Sequence, residues 1–123
     1  MPTLIVTLDQ TTSPWSLNVS SPQVDVDTYP TTITWQLSGM PSGASWSTNA
    51  QNPGFAWLGS NKPPPGTFTN LGINGTDLSV TDNGGTGGPW PYQLCIALGG
   101  GYYRTSNVLL PIDTQKAPKI QNN

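Results

Sequence analysis

The stretch Pro89–Leu110, PWPYQLCIALGGGYYRTSNVLL, decides the fold class of this chain. In its first arm, large apolar side chains occupy every second position, at Tyr92, Leu94, Ile96 and Leu98. Such alternation is typical of a β-strand with one buried face. Gly99–Gly101 can supply the positive φ angles of a tight turn, and the second arm, 102–110, is rich in aromatic and β-branched residues. The stretch therefore predicts a β-hairpin, which is unstable alone and requires further strands and a second sheet.

The composition also predicts an all-β protein with a single domain. The chain has 123 residues, 14 of them Gly and 13 Pro, and it contains no Glu. Many short strands joined by Gly/Pro turns indicate a sandwich or barrel. We predict one β-sandwich domain over residues 1–113 and a polar C-terminal tail over 114–123, which we expect to fray.

Alternating patterns elsewhere in the chain predict the partner strands. They fall at 4–8, 15–20, 31–37 and 77–81, with shorter candidates at 44–47, 55–58, 67–71 and 24–27. We expect 24–27 to continue the strand 15–20 beyond a bend. Asn74-Gly75 is a hairpin signal before the strand 77–81.

The order of these segments resembles a small immunoglobulin-like antiparallel β-sandwich. Trp35 lies on an early central strand, Tyr92 opens a late apolar strand, and a hairpin closes the domain. In that family the Trp packs in the core and the Tyr makes a corner hydrogen bond. Here Tyr92 precedes Cys95 by three residues rather than two, and the second cysteine of the family is missing. The resemblance implies a sandwich and carries no function.

Charge and hydropathy exclude several classes of partner. The net charge is −2 with only four basic residues, so the chain lacks a basic surface for nucleic acid or an anionic membrane. No apolar run approaches the ~20 residues that span a bilayer. The N-terminus lacks a basic start and a long apolar segment, so we expect no signal peptide, and a cytoplasmic location unless a leader was removed.

Few residues offer catalytic chemistry, and we expect neither an enzyme nor a cofactor. The absence of His removes the usual general base and zinc ligand. Cys95 as a nucleophile would need an activating cation, of which Arg104 is nearest, and a buried apolar role is the simpler interpretation. Asp25 and Asp27 share one strand face, which suits a metal, an acid pair or a solvated edge, and either residue could instead pair with Asp82. The segment 82–84, Asp-Asn-Gly, suits Ca²⁺ or a turn, and turn chemistry suffices.

The aromatic residues provide the binding hypothesis. Trp35 is predicted to lie in the core, whereas several aromatics fall in or beside loops, namely Trp46, Trp57, Trp90, Tyr102 and Tyr103. Aromatic faces beside polar groups can hold sugar rings, form a protein interface, or simply cap the ends of a sandwich. We predict a ligand-binding group of Trp90, Asp82 and Asn83, joined by Trp57, at the end of the sandwich opposite Tyr102.

Three functions follow from these observations, in decreasing order of support. The first is a non-enzymatic module that binds a protein partner or associates with itself. The second is a carbohydrate-binding module that uses loop aromatics. The third is an Asp-dependent hydrolase, which the lack of both His and Glu disfavours.

Overall fold

A computed structural model describes residues 2–60, 62–106 and 117–123. Within these ranges the protein is all-β, as predicted, and no helix is long and apolar enough to cross a membrane. The strands are β1 (Thr3–Asp9), β2 (Ser16–Val19), β3 (Gln23–Val26), β4 (Thr31–Leu37), β5 (Ser45–Trp46), β6 (Thr48–Asn49), β7 (Asn52–Pro53), β8 (Phe55–Trp57), β9 (Phe68–Asn74), β10 (Asp77–Asp82), β11 (Trp90–Leu98), β12 (Gly101–Arg104) and β13 (Lys119–Asn122).

Two large sheets and one short hairpin contain these strands. The first sheet has the order β2-β1-β4-β10-β9, and β6 pairs with β7 in the hairpin. The second has the order β12-β11-β13-β3, and both β5 and β8 also pair with β11. Strand β1 is parallel to β4, and β13 is parallel to β3. The sheets are therefore mixed, whereas the sequence predicted purely antiparallel pairing.

The buried faces of both sheets meet in one hydrophobic core, an arrangement compatible with a β-sandwich. On β4 the alternation predicted from the sequence places Ile33, Trp35 and Leu37 inside. Strand β11 contributes Tyr92 and Leu94 from the other sheet, and both are fully buried. The period-two pattern thus directs apolar side chains of each central strand towards the other sheet.

Trp35 and Tyr92 connect the two sheets at the centre of this core. The Trp35 indole Nε1 donates a hydrogen bond of 2.9 Å to the Tyr92 hydroxyl. Their ring centroids lie 5.1 Å apart with the planes at 63°, and the Phe55 ring lies 5.3 Å from each. Burial raises the pKa of the Tyr92 phenol well above its usual range, so it remains a neutral partner. The tyrosine bond of the immunoglobulin family runs to the backbone, whereas this one runs to an indole.

Two segments differ from the sequence-based predictions. Strand β3 leaves the sheet of β2 and pairs with β13, so it does not continue the earlier strand. Residues 119–122 form β13, and Ile120 is fully buried. The expectation that the C-terminal tail frays is therefore wrong for these residues, because β11 and β3 pair with them. Of the predicted second hairpin arm, 102–104 lies in β12, which begins one residue earlier at Gly101, and 107–110 lies outside the described residues.

Replacing Tyr92 by Phe should lower the free energy of unfolding by about 1–3 kcal/mol, because it leaves the buried Trp35 N–H without an acceptor. In a double-mutant cycle with Trp35→Phe, measured by urea denaturation, the two losses should not add, since either change removes the same bond. Additive losses would contradict a stabilising role for this hydrogen bond.

Candidate functional site

Asp82, the last residue of β10, is fully buried. Its Oδ1 accepts hydrogen bonds from the Gly84 N–H and from the Asn122 side-chain amide, each 3.0 Å long. Burial raises the pKa of its carboxyl group, and these two hydrogen bonds oppose that effect. Asp82 therefore supports the packing between β10 and β13 and offers no open surface to a ligand.

The neighbouring Asn83 is exposed, but its N–H donors form hydrogen bonds within the protein. Its side-chain Nδ2 donates to the Thr69 hydroxyl at 2.9 Å and to the Gly66 carbonyl at 3.2 Å. Its backbone N–H donates to the Thr67 carbonyl at 2.8 Å. These bonds join the start of the glycine loop, residues 83–89 between β10 and β11, to the segment 66–69. This contact fits the interpretation of 82–84 as a turn.

The two predicted aromatic members of the binding group are also packed. Trp90 is only 4% exposed and pairs with Ile120 of β13. Trp57 is half-buried, with its ring 4.9 Å from Phe55 and 4.6 Å from Phe68. Phe68 in turn pairs with Asp82, so the structure does bring the predicted residues to one end of the molecule. There Trp57 packs on Phe68, and Trp90 is buried beside β13, so the predicted open stacking surface at Trp90 is absent.

The predicted separation of Trp90 from Tyr102 is confirmed. Trp90 begins β11, whereas Tyr102 pairs with Ala97 near the other end of that strand. At ~3.3 Å per residue, the intervening length of strand is about 23 Å. The two aromatic side chains therefore cannot contribute to one small-molecule site.

Cys95 is buried, as predicted, with 1% of its surface exposed. Leu94 and Ile96 on the opposite face of β11 are fully buried as well, so this part of the strand is covered on both sides. Burial raises the pKa of the thiol even though Arg104, its partner across the hairpin, acts in the opposite direction. A raised pKa disfavours the thiolate that nucleophilic chemistry requires.

The two carboxylates on β3 and just beyond it have separate partners. Asp25 accepts a hydrogen bond of 2.8 Å from the Gln23 amide, and Asp27 accepts one of 2.7 Å from the Asn123 amide. Both side chains are exposed. Within residues 2–60, 62–106 and 117–123, no group of three or more His, Cys, Asp or Glu residues could hold a metal ion.

Sequence reasoning missed a cleft of about 500 Å³ at the Tyr102 end of the molecule. Its aromatic wall is Trp15, which is 37% exposed and lies 5.4 Å from the Tyr103 ring at an interplanar angle of 34°. Polar side chains complete the lining, among them Asp9, Asn18, Gln93 and Arg104. The hydroxyl and the backbone N–H of Thr11 both donate hydrogen bonds to the Asp9 carboxyl group. These bonds lower its pKa, so Asp9 is a carboxylate in the cleft. Trp15 lies between Pro14 and the start of β2. Because Pro14 interrupts the strand pattern, it was the one signal in the sequence that the Trp15 side chain need not follow the alternation of β2.

A second concave surface lies along β9, at the edge of the first sheet. Leu71 and Ile73 are 53% and 45% exposed, and they line a groove of about 280 Å³ with Phe55 and Leu78. Ile73 pairs with the buried Leu78, so it lies on the core side of the sheet. The β6–β7 hairpin forms the other wall. The apolar, core-side face of the first sheet therefore continues along β9 past the area that the second sheet covers.

Comparison with known proteins finds no match, either among protein-family models or among curated sequences.

Cys95 should react with an aromatic disulfide reagent only after unfolding, because both faces of β11 are covered around it. It is the only cysteine in the chain, so the released absorbance reports this residue alone. The measurement compares the labelling rate in buffer with that in concentrated urea at the same mildly alkaline pH. Complete labelling at equal rates would show that the thiol is accessible in the folded protein.

Proposed function

We propose that this chain is a non-enzymatic, immunoglobulin-like β-sandwich module that associates with a second copy of itself along strand β9. The exposed core-side residues Leu71 and Ile73, at an edge of the first sheet, carry the proposal. The immunoglobulin-like arrangement is supported by the buried contact of Trp35 with Tyr92 on the central strand of the opposite sheet. The parallel pair β1–β4 is a variation on that arrangement.

One edge of the β9 backbone is open to another strand, although a β-bulge at Asn70, whose φ is 59°, interrupts its register with β10. Within the described part of the chain, β10 is its only strand partner, so its outer side carries unpaired N–H and C=O groups. Its sequence, FTNLGIN, contains none of the charged or proline residues that commonly block edge pairing. Two antiparallel β9 strands related by a two-fold axis would join the first sheets of two copies and let each cover the other's apolar groove.

The charge of the chain is also compatible with self-association. Only 8% of its residues are charged, and the net charge is −2, so two copies repel each other weakly. The non-enzymatic part of the proposal is supported by a sequence without His or Glu and by the burial of Cys95.

Replacing Ile73 by Lys should abolish self-association, because it places a charge on the apolar face that would be covered. The wild-type weight-average mass in sedimentation equilibrium should rise with concentration towards twice 13.0 kDa, whereas the variant should remain monomeric. The matched control is Ile5→Lys, which alters an isoleucine of similar exposure on β1, a strand paired on both sides.

The control should associate as the wild type does. A wild-type protein that is monomeric at all concentrations, or an Ile5→Lys variant that dissociates as Ile73→Lys does, would contradict association through β9.

A second candidate function is carbohydrate binding in the cleft beside β12. One observation favours it: the exposed Trp15 ring stands beside carboxylate, amide and guanidinium groups. Sugar rings stack on aromatic faces through their C–H groups while their hydroxyls bond polar side chains. Arg104 already donates to the Asn52 side chain, which fixes its guanidinium in the cleft wall. This location replaces the Trp90 end predicted from the sequence.

Intrinsic fluorescence titrations against a panel of neutral and acidic oligosaccharides test this candidate. At least one glycan should change the emission of the wild type, and Trp15→Ala should weaken its binding by at least about tenfold, since stacked aromatics dominate such sites. Ile73→Lys is the control, because β9 does not line the cleft and binding should be retained. A glycan bound equally well by Trp15→Ala would exclude the cleft as its site.

A further inference from the structure

A buried polar pair joins the two sheets at the Trp90 end. It consists of Asp82, at the end of β10, and Asn122, in β13, which are 0% and 3% exposed. The Asn122 Nδ2 donates to Asp82 Oδ1 at 3.0 Å and to the Thr86 carbonyl at 3.3 Å. Asp82 Oδ1 also accepts the Gly84 N–H, which fixes the orientation of the carboxyl group.

One oxygen of each side chain in this pair has no partner among the described residues. These atoms are Asp82 Oδ2 and Asn122 Oδ1, and both are buried. A buried carboxylate oxygen without a hydrogen bond is costly, and a second lone acceptor on the adjoining amide adds to the cost. An ionised Asp82 can only accept, so it cannot satisfy either atom.

A single proton on Oδ2 resolves both deficits. A carboxylic acid and a primary amide are complementary: the amide N–H donates to the carbonyl oxygen of the acid, and the acid O–H donates to the amide oxygen. The first of these two bonds is already present as the contact of Asn122 Nδ2 with Asp82 Oδ1. The two unpartnered oxygens are the atoms that the second bond would join.

We propose that Asp82 binds Asn122 as a carboxylic acid, through two antiparallel hydrogen bonds, and that this acid–amide pair is a pH-sensitive latch that holds β13 against the glycine loop and β10. Loss of the proton breaks one of the two bonds and leaves a buried negative charge. The latch is therefore tight in acid and weakened above the pH at which the proton leaves.

The charges around the pair favour the neutral acid. Tyr29 faces it from the loop before β4, since a Cβ added to Gly84 would lie 2.7 Å from the Tyr29 ring. Burial, and to a lesser extent the negative charge of Asp27, raises the pKa of this phenol, so Tyr29 is neutral. Asp27, which is exposed, adds a negative charge. Asp25 on β3 and Lys119 on β13 alternate with the buried Val24 and Ile120 and point away from the core. Strands β4, β9 and β11 contain no charged residue.

A bound cation is a poorer explanation of the same two oxygens. Ca²⁺ takes six to eight oxygen ligands, and this group supplies two side-chain oxygens without other partners. Burial, which raises the pKa of Asp82, also favours uptake of a proton.

Asp82→Asn tests the latch, because an amide at this position mimics the protonated acid with a permanent N–H donor. The ratio of the unfolding constants of wild type and variant, from urea titrations between about pH 4 and pH 8, should rise by up to about tenfold per pH unit while native Asp82 still holds its proton, and should level off once that proton leaves. The sign follows from linkage: the native state holds a proton that the unfolded state releases near pH 3.9, so wild-type stability falls as pH rises.

Asp25→Asn is the reference for loss of one negative charge, since it removes an exposed carboxyl group from β3. The ¹³C chemical shift of the Asp82 carboxyl group gives a second measurement on the wild type alone, and it should titrate above the range of an exposed aspartate. A pH-independent ratio together with an ordinary carboxyl titration would overturn the proposal. A melting temperature raised by millimolar Ca²⁺ in the wild type but not in Asp82→Asn would also overturn it, in favour of a cation site.

Discussion

The hydrogen bond between Trp35 and Tyr92 is the contact on which the relative position of the two sheets depends. Each residue lies on a central strand of its sheet, and both side chains are fully buried. Hydrophobic packing tolerates small shifts. A buried N–H, in contrast, must lie within a few tenths of an ångström of the ideal distance from its acceptor, here the Tyr92 hydroxyl oxygen. The stacked Phe55 and Tyr92 rings, 5.3 Å apart at 12°, then hold the phenol in place. The bond therefore gives the apolar centre of the interface a defined register.

The strands were largely predictable because alternation is a local property. The segment 31–37 was predicted with its structural bounds and with Trp35 inside, and the hairpin at Asn74-Gly75 joins β9 to β10. Pairing between distant strands was not predictable, because no local pattern specifies the partner. Strand β13 was missed for a different reason: in KIQN only Ile120 is apolar, and its burial depends on β3 and β11.

The candidate sites were less predictable than the fold, because exposure depends on what covers a side chain. The glycine loop beside Trp90 predicts an open ring, but Trp90 is 4% exposed next to β13. Trp46 is 2% exposed, and its indole N–H donates to the Thr76 carbonyl. Trp15 was assigned to the alternation of its strand, although that strand begins only at Ser16. Leu71 and Ile73 do lie on a core-side face, but the second sheet does not extend over them. Position in a strand thus predicted which way a side chain points and not whether anything covers it.

The parallel pairing of β3 with β13 has a consequence for the rate at which the protein folds. Asp27 and Asn123, which are bonded at the end of this pair, lie 96 positions apart in the chain. Closing so large a loop costs entropy before any contact compensates for it, and proteins dominated by such contacts fold in milliseconds to seconds. Until β13 docks, Trp90 and Pro91 at the start of β11 lack their neighbouring strand, and the Trp90 side chain is more exposed. An intermediate at that stage would expose an aromatic side chain and an unpaired strand edge together, which is the combination most prone to aggregate.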